Sequence, residues 1–157
     1  MVAIDTVIFD IGGVLANFDW NGYVHRWVGD ERAIEEINEA LWGTGLWDEL
    51  DRGVLSTESI IEGFIAESQI RTLMDHIRGC VSRLDYAVPW IQSVKATGRR
   101  ALFLSNYSHL IMDANPGVLD FLPVLDGGVF SCDVKLLKPD RAIYAAICEQ
   151  YALTPRH

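Results

Sequence analysis

The chain has 157 residues, 50% of them hydrophobic, which is enough for one compact core with a small attachment and excludes a short peptide or a disordered tail. Its formal net charge of −9 excludes a typical nucleic-acid binder, because binding to a phosphate backbone needs clustered Lys and Arg. The apolar runs are too short for a membrane span and no signal peptide is visible, so we expect a cytoplasmic protein, monomeric or homodimeric.

The first 16 residues predict a buried strand followed by a loop. Residues 3–10 form a β-branched apolar run that ends in Asp10, and Gly12 and Gly13 then break the pattern. Residues 20–86 show helical periodicity only, so we expect an all-helical insert. Its predicted amphipathic helices cover residues 22–28, 30–42, 57–68 and 70–84.

Strands and helices alternate in the remainder of the chain. We predict strands at 100–105 and 127–132 and helices at 88–98, 107–122 (interrupted at Pro116-Gly117) and 140–151. Such alternation favours a parallel α/β sheet with right-handed crossovers. The core then comprises residues 1–16 and 87–157, and the insert residues 17–86. Three widely spaced cysteines, at positions 80, 132 and 148, suit small core residues rather than a metal or redox site.

Polar side chains follow each predicted strand. Asp10, Ser105 and Lys138 come after the first, second and third strand, at the sheet edge where parallel α/β proteins bind ligands. Phosphoryl transfer to a protein needs such a set: a carboxylate nucleophile, hydrogen-bond donors for the phosphate oxygens and a cation. Taken singly, each residue is better explained without a function: Asp10 as a strand end or helix cap, Ser105 as a turn residue and Lys138 as a surface charge.

Three segments resemble the first three motifs of the haloacid dehalogenase (HAD) superfamily in order and spacing: Phe9-Asp-Ile-Gly-Gly-Val-Leu15, Leu104-Ser-Asn106 and Lys138-Pro-Asp140. The helical insert is similar to the type 1 cap of that superfamily. The Asp-x-Gly-Gly-Val form is most similar to a subgroup that includes bacterial sugar-phosphate phosphatases such as α-glucose-1-phosphatase. The resemblance implies a Rossmann-like three-layer core carrying an inserted α-helical cap.

The resemblance also implies a role for each motif residue. Asp10 would attack phosphorus and form an aspartyl-phosphate, and Lys138 would neutralise the phosphate and Asp10. Ser105 and the Asn106 backbone would bind phosphate oxygens. Mg²⁺ would bind the Asp10 side chain and the backbone carbonyl of Gly12. The expected activity is Mg²⁺-dependent hydrolysis of a small phosphorylated metabolite.

Two departures from the family pattern bear on activity. Most phosphatases of the superfamily have a second Asp, as general acid–base, where this chain has Gly12. By chemistry alone, the candidate replacements are Asp19, His25, Asp48 and Glu49.

The second departure is at the C-terminus, where the family has a fourth strand whose acidic residues complete the Mg²⁺ site. We expect the chain to be a C-terminally truncated form. A naturally shortened product and a sheet that a partner chain completes are the alternatives.

The sequence is therefore consistent with two functions: a phosphatase, and a catalytically impaired HAD-fold protein that acts as a binding or regulatory module.

Substrate choice would depend on the insert, where four tryptophans are concentrated. We expect these to be helix-packing core rather than a stacking platform for a sugar. They are Trp20, Trp27, Trp42 and Trp47.

Overall fold

The computed structural model describes residues 4–62, 71 and 73–155. Its strands are β1 (Thr6–Phe9), β2 (Ala16–Phe18), β3 (Val81–Arg83), β4 (Arg100–Ser105) and β5 (Gly128–Phe130). Its helices are α1 (Trp20–Trp27), α2 (Glu31–Asn38), α3 (Leu46–Arg52), α4 (Thr57–Glu62), α5 (Ala87–Ala96), α6 (His109–Ala114), α7 (Ser131–Val134) and α8 (Arg141–Gln150). A π-helical turn at Glu39–Gly43 and 3₁₀ turns at Ile77–Cys80 and Leu122–Val124 complete the described elements.

The central sheet is parallel, with strand order β1-β4-β5. Strand β4 lies in the middle and is buried from Ala101 to Ser105, as expected for a continuous apolar run covered on both faces. Its register pairs Phe103 with Phe9 of β1 and with Gly128 of β5. A Cβ atom on Gly128 would collide with the Phe103 ring, so this close approach of β5 requires glycine.

Helical elements cover both faces of the sheet. On one face Leu102, Leu104 and Val129 pack against Ile143 and Ile147 of α8. On the other, a single buried cluster continues from Phe9 and Phe103 through α5 into the insert. The predicted three-layer α/β fold is therefore confirmed. Because the packing is continuous, the boundary between core and cap stays a prediction. The buried Cys80 and Cys132 and the half-buried Cys148 are free thiols.

The prediction of an all-helical insert is wrong in one respect. Strands β2 and β3 pair antiparallel, with Asn17 opposite Ser82, and form a two-stranded ribbon at the two ends of the insert. The helix predicted over 70–84 therefore stops short, since residues 77–83 form a 3₁₀ turn and β3. Of the helix predicted over 57–68, α4 accounts for residues 57–62 and the rest lies outside the described residues.

The predicted elements around the third strand are shorter than expected. Strand β5 ends at Phe130 because α7 begins at the next residue, and the helix predicted over 107–122 is confined to α6.

Within the described part of the chain, every helix is too short or too polar to cross a lipid bilayer.

Candidate active site

The loop after β1 is shaped by hydrogen bonds to one carbonyl group. The N–H groups of Val14, Leu15 and Ala16 all donate to the Ile11 carbonyl oxygen, at 3.0, 2.9 and 3.0 Å. Gly13 has a φ of 73°, which glycine adopts without steric penalty. This tight loop leaves Asp10 at the carboxyl end of β1 with 43% of its side chain exposed.

Asp10 and Lys138 form an ion pair across the end of the sheet. Lys138 Nζ lies 2.7 Å from Asp10 Oδ2, and the Ile11 N–H donates to Asp10 Oδ1 at 2.7 Å. Each carboxylate oxygen thus has a donor, which holds the carboxylate in one orientation. The structure brings together the predicted nucleophile and the predicted cation.

The Asn106 side chain fixes the backbone of Lys138. The Lys138 N–H donates to Asn106 Oδ1 at 2.8 Å, and Asn106 Nδ2 donates to the Lys138 carbonyl at 3.0 Å. Sequence reasoning assigned only the Asn106 backbone to phosphate, and it missed this reciprocal pair. The pair connects the end of β4 to the segment that carries Lys138, so it determines where the ammonium group lies.

Ser105 lies at the end of β4 with 1% exposure. Its hydroxyl donates to the Asn106 carbonyl at 3.3 Å, a long and easily replaced bond. Asp140, the last residue of the third motif, caps α8 instead of entering the site, since its Oδ1 accepts from the Ala142 N–H at 3.0 Å.

A cavity of about 540 Å³ connects these residues with the insert. The core contributes the predicted residues Asp10, Gly12, Ser105, Asn106 and Lys138. The insert contributes further lining residues, whose polar and aromatic members are Phe18, Trp42, Trp47, Asp48 and Asp51. A volume of this size suits a small molecule.

Two of the insert's four tryptophans are buried, whereas Trp27 and Trp42 are exposed, so the prediction of helix-packing core is wrong for these two. Trp20 and Trp47 are buried, as predicted for helix-packing residues, and their ring centroids are 5.4 Å apart. Trp42 lines the cavity, is 42% exposed and lies 4.6 Å from Trp47, whereas Trp27 packs on His76 outside the cavity. The Trp42–Trp47 pair therefore presents an aromatic surface to a ligand.

The candidate proton donors named from sequence have different positions. Asp19 caps α1 through the Gly22 N–H, His25 bonds to the Asn21 carbonyl, and Glu49 pairs with Arg52. Of the four candidates, Asp48 alone lines the cavity.

Asp51, which sequence reasoning missed, lies beside Asp48 in the cavity wall and is buried, with 8% exposure. Burial raises the pKa of its carboxyl from 3.8 to about 7; the nearby Asp48 charge adds to this effect, and a hydrogen bond from Trp47 opposes it. Its spacing was an available signal. Positions 47, 50 and 51 share one face of α3, so Asp51 belongs to the buried face that Trp47 and Leu50 mark.

Asp10 and Gly12 would offer a cation oxygen ligands, although few of them. A carboxylate and a main-chain carbonyl are the ligands that Mg²⁺ prefers, and Mg²⁺ normally keeps several waters and binds substrate phosphate as well. Within the described residues, the one cluster of three potential metal ligands is elsewhere, at His109, Cys132 and Asp133. The residues around Asp10 therefore suit Mg²⁺ that binds together with phosphate.

Comparison with known proteins identifies the fold. No family model and no curated protein matches the sequence. A predicted HAD-like family hydrolase from Porphyromonas gingivalis superposes with a TM-score of 0.76 at 22% identity, over 97% of this chain and 78% of the other.

Two further solved structures show the same likeness. One is a HAD family enzyme from Bacteroides thetaiotaomicron in complex with magnesium and inorganic phosphate, with a TM-score of 0.72 at 16% identity over 96% and 80% of the two chains. The other is L-2-haloacid dehalogenase from Xanthobacter autotrophicus. It superposes with a TM-score of 0.64 at 16% identity, over 98% of this chain and 67% of the other. At these identities the likeness establishes that the chain has the HAD fold.

Proposed function

We propose that this protein is a hydrolase that cleaves a small phosphomonoester, such as a sugar phosphate, with Mg²⁺ and through an aspartyl-phosphate on Asp10. The observation that supports the proposal most directly is the 2.7 Å contact between Lys138 Nζ and Asp10 Oδ2 at the edge of the cavity. A neighbour of the same fold binds magnesium and inorganic phosphate, which agrees with this chemistry.

The proposed reaction begins with attack of an Asp10 oxygen on phosphorus. The Ile11 N–H and Lys138 orient the carboxylate, so little rearrangement is needed before the attack. The Lys138 ammonium group also reduces the repulsion between two anions, the carboxylate and the phosphate.

The Ser105 hydroxyl and the Asn106 backbone would bind the phosphate oxygens. The Ser105 hydroxyl, now on a long bond to the Asn106 carbonyl, turns to donate to phosphate. Asn106 holds the Lys138 segment beside it. When bound by the Asp10 carboxylate and the Gly12 carbonyl, Mg²⁺ supplies positive charge to the phosphate oxygens.

The test is turnover of p-nitrophenyl phosphate in the presence of Mg²⁺. We expect activity that the shape-conserving variant Asp10→Asn abolishes, because an amide is not a nucleophile of comparable strength. A matched control is Asp140→Asn, since Asp140 caps α8 and lies outside the cavity. An active Asp10→Asn protein would contradict the aspartyl-phosphate.

Two further assays separate the competing functions. Chloride release from 2-chloropropionate tests the dehalogenase chemistry that one neighbour's fold represents. Phosphate binding without turnover of any phosphate ester would favour the binding or regulatory module instead.

A further inference from the structure

The loop after β1 lacks a proton donor where the proposed reaction needs one. When a phosphomonoester of an ordinary alcohol is cleaved, the leaving oxygen departs as a strongly basic alkoxide unless it is protonated. General acid help at this step is typically worth about 10²–10⁴-fold in rate. Gly12 faces the cavity without a side chain.

Asp51 lines the same cavity and carries a carboxyl group. It lies in the last turn of α3, on the helix face that also presents Trp47, and 8% of it is exposed. It makes no salt bridge with the described basic residues. A carboxyl in such surroundings favours its neutral form.

Hydrogen bonds attach Asp51 to the phosphate end of the cavity. The Ser131 hydroxyl donates to the Asp51 carbonyl at 2.6 Å and accepts from the Tyr107 N–H at 2.9 Å. Tyr107 follows Asn106 directly, so two bonds connect the backbone of Asp51 to the loop after β4. A third contact, from Lys135 Nζ to the Gly53 carbonyl at 2.6 Å, holds the end of α3 on the core.

The wall around Asp51 contains a second buried polar group. The hydroxyl of Tyr107, a residue with 5% exposure that also lines the cavity, has no hydrogen-bond partner among the described residues. A buried hydroxyl without a partner is unfavourable. Burial raises the Tyr107 pKa, and Tyr107 is close enough to Asp51 for a charge on that carboxyl to raise it further, so the surroundings of Asp51 disfavour a negative charge there.

We infer that Asp51 is the catalytic acid of this site, donating a proton to the leaving oxygen in place of a side chain at position 12; the inference rests on the proposed phosphatase function. In the first step the bond between an Asp10 oxygen and phosphorus forms, the bond from phosphorus to the leaving oxygen breaks, and the Asp51 proton moves to that oxygen. In the second step Asp51, now a carboxylate, takes a proton from water as the water attacks phosphorus. Asp10 is released as a carboxylate and Asp51 carries a proton again, so the cycle balances.

Asp51 holds its proton at the pH where this role requires it. Burial raises its pKa to about 7, so the acid is present below that pH and is lost as the pH rises through it. Burial is the main cause of this value, and the charge of Asp48 on the same helix adds to it. Other titratable groups interact with Asp51 or line the same cavity. They are Tyr107 and Cys132 of the core, and Asp10 and Lys138 in the cavity lining.

The experiment compares two esters that differ in their need for a proton. The p-nitrophenolate anion leaves without protonation, whereas the alkoxide from glycerol 2-phosphate does not. We expect Asp51→Asn to lower kcat/KM for the glycerol ester by about 10²–10⁴-fold and that for p-nitrophenyl phosphate by much less, because kcat/KM covers only the steps up to departure of the alcohol. Glu49→Gln is the matched control, because Glu49 is on α3 but pairs with Arg52 outside the cavity.

Two measurements extend the test. In the wild-type protein, kcat/KM for the glycerol ester should fall above about pH 7, and that for p-nitrophenyl phosphate should not. This comparison needs no variant, so it stands even if Asp51→Asn folds poorly. Gly12→Asp should restore turnover of the glycerol ester to Asp51→Asn, since no atom lies within 4 Å of a Cβ placed there.

The outcomes distinguish the two proposals. Equal losses for both esters in Asp51→Asn, or wild-type pH profiles of the same shape for both, would overturn the role of Asp51 and leave the phosphatase standing. A wild-type protein inactive toward both esters would refute the phosphatase, and the acid with it.

Discussion

Replacing Asp51 with Asn should make the protein more stable at alkaline pH than the wild type. Asn has the shape of a protonated carboxyl group but cannot ionise. In the folded wild type, burial raises the pKa of Asp51 from its ordinary value of 3.8 to about 7. Between these values the folded protein holds a proton that the unfolded chain has released, so wild-type stability falls as the pH rises. Asp51→Asn has no proton to release at this position, so its stability should not fall in this way.

The pKa shift gives the size of the effect. One pKa unit corresponds to about 1.4 kcal/mol, so a shift from 3.8 to about 7 amounts to something on the order of 4 kcal/mol above pH 7. Domains of this size unfold with a total of about 5–15 kcal/mol, which makes the effect a large fraction of stability. Below about pH 4 the carboxyl is protonated in both states, and the two proteins should differ little.

Urea unfolding followed by tryptophan fluorescence between about pH 4 and pH 8 measures the difference directly. Asp48→Asn should give a smaller gain of the same sign, because it removes a charge that helps to raise the Asp51 pKa. Glu49→Gln should follow the wild type, since Glu49 makes a partly exposed pair with Arg52. Parallel curves for wild type and Asp51→Asn across the whole pH range would refute the reasoning.

Three substitutions and one titration test the remaining contacts. Lys138→Met should lower turnover by about 10²–10³-fold in steady-state kinetics. In urea unfolding it should change the free energy of unfolding by less than about 1 kcal/mol, because the pair of Lys138 with Asp10 is partly exposed. Asn106→Ala removes two hydrogen bonds to the Lys138 backbone and should cost about 1–3 kcal/mol in urea unfolding, with a lower kcat as well. A hydrogen bond from Lys95 lowers the pKa of Asp126, so this carboxylate stabilises the fold above its ordinary pKa and the stabilisation is lost as the pH falls through the lowered value; Asp126→Asn should flatten the acid side of the stability curve. Calorimetric titration should show weak Mg²⁺ binding alone and tighter binding with phosphate, whereas tight stoichiometric binding of Mg²⁺ alone would contradict a site with one carboxylate.

The sequence could predict the end of the sheet because two simple signals coincide there. Apolar runs identify buried strands, and parallel order brings the residues that follow them to one edge. Asp10, Ser105 and Lys138 accordingly line one cavity. The contacts of Asn106 with the Lys138 backbone could not be predicted, since they depend on the path of a loop rather than on any periodicity.

Short strands explain the main error within the insert. Val81–Arg83 has three residues, too few for an alternating pattern to stand out from helical spacing. Its partner, Ala16–Phe18, is equally short and distant in sequence. The pairing is a tertiary effect, and it brings the two ends of the insert together.

Asp51 shows why polar residues within an amphipathic helix should be assigned to a face before a role. In the segment from Trp47 to Arg52, charge alone makes Asp48 and Glu49 equal candidates with Asp51. Helical spacing separates them, because Asp51 shares the buried face with Trp47. If the side chain at position 51 only had to fill space and accept a hydrogen bond, Asn would serve as well as Asp. Asn would not lower the free energy of unfolding at neutral pH. A buried carboxyl is a less stable choice, and the proton it holds is what distinguishes it from the amide.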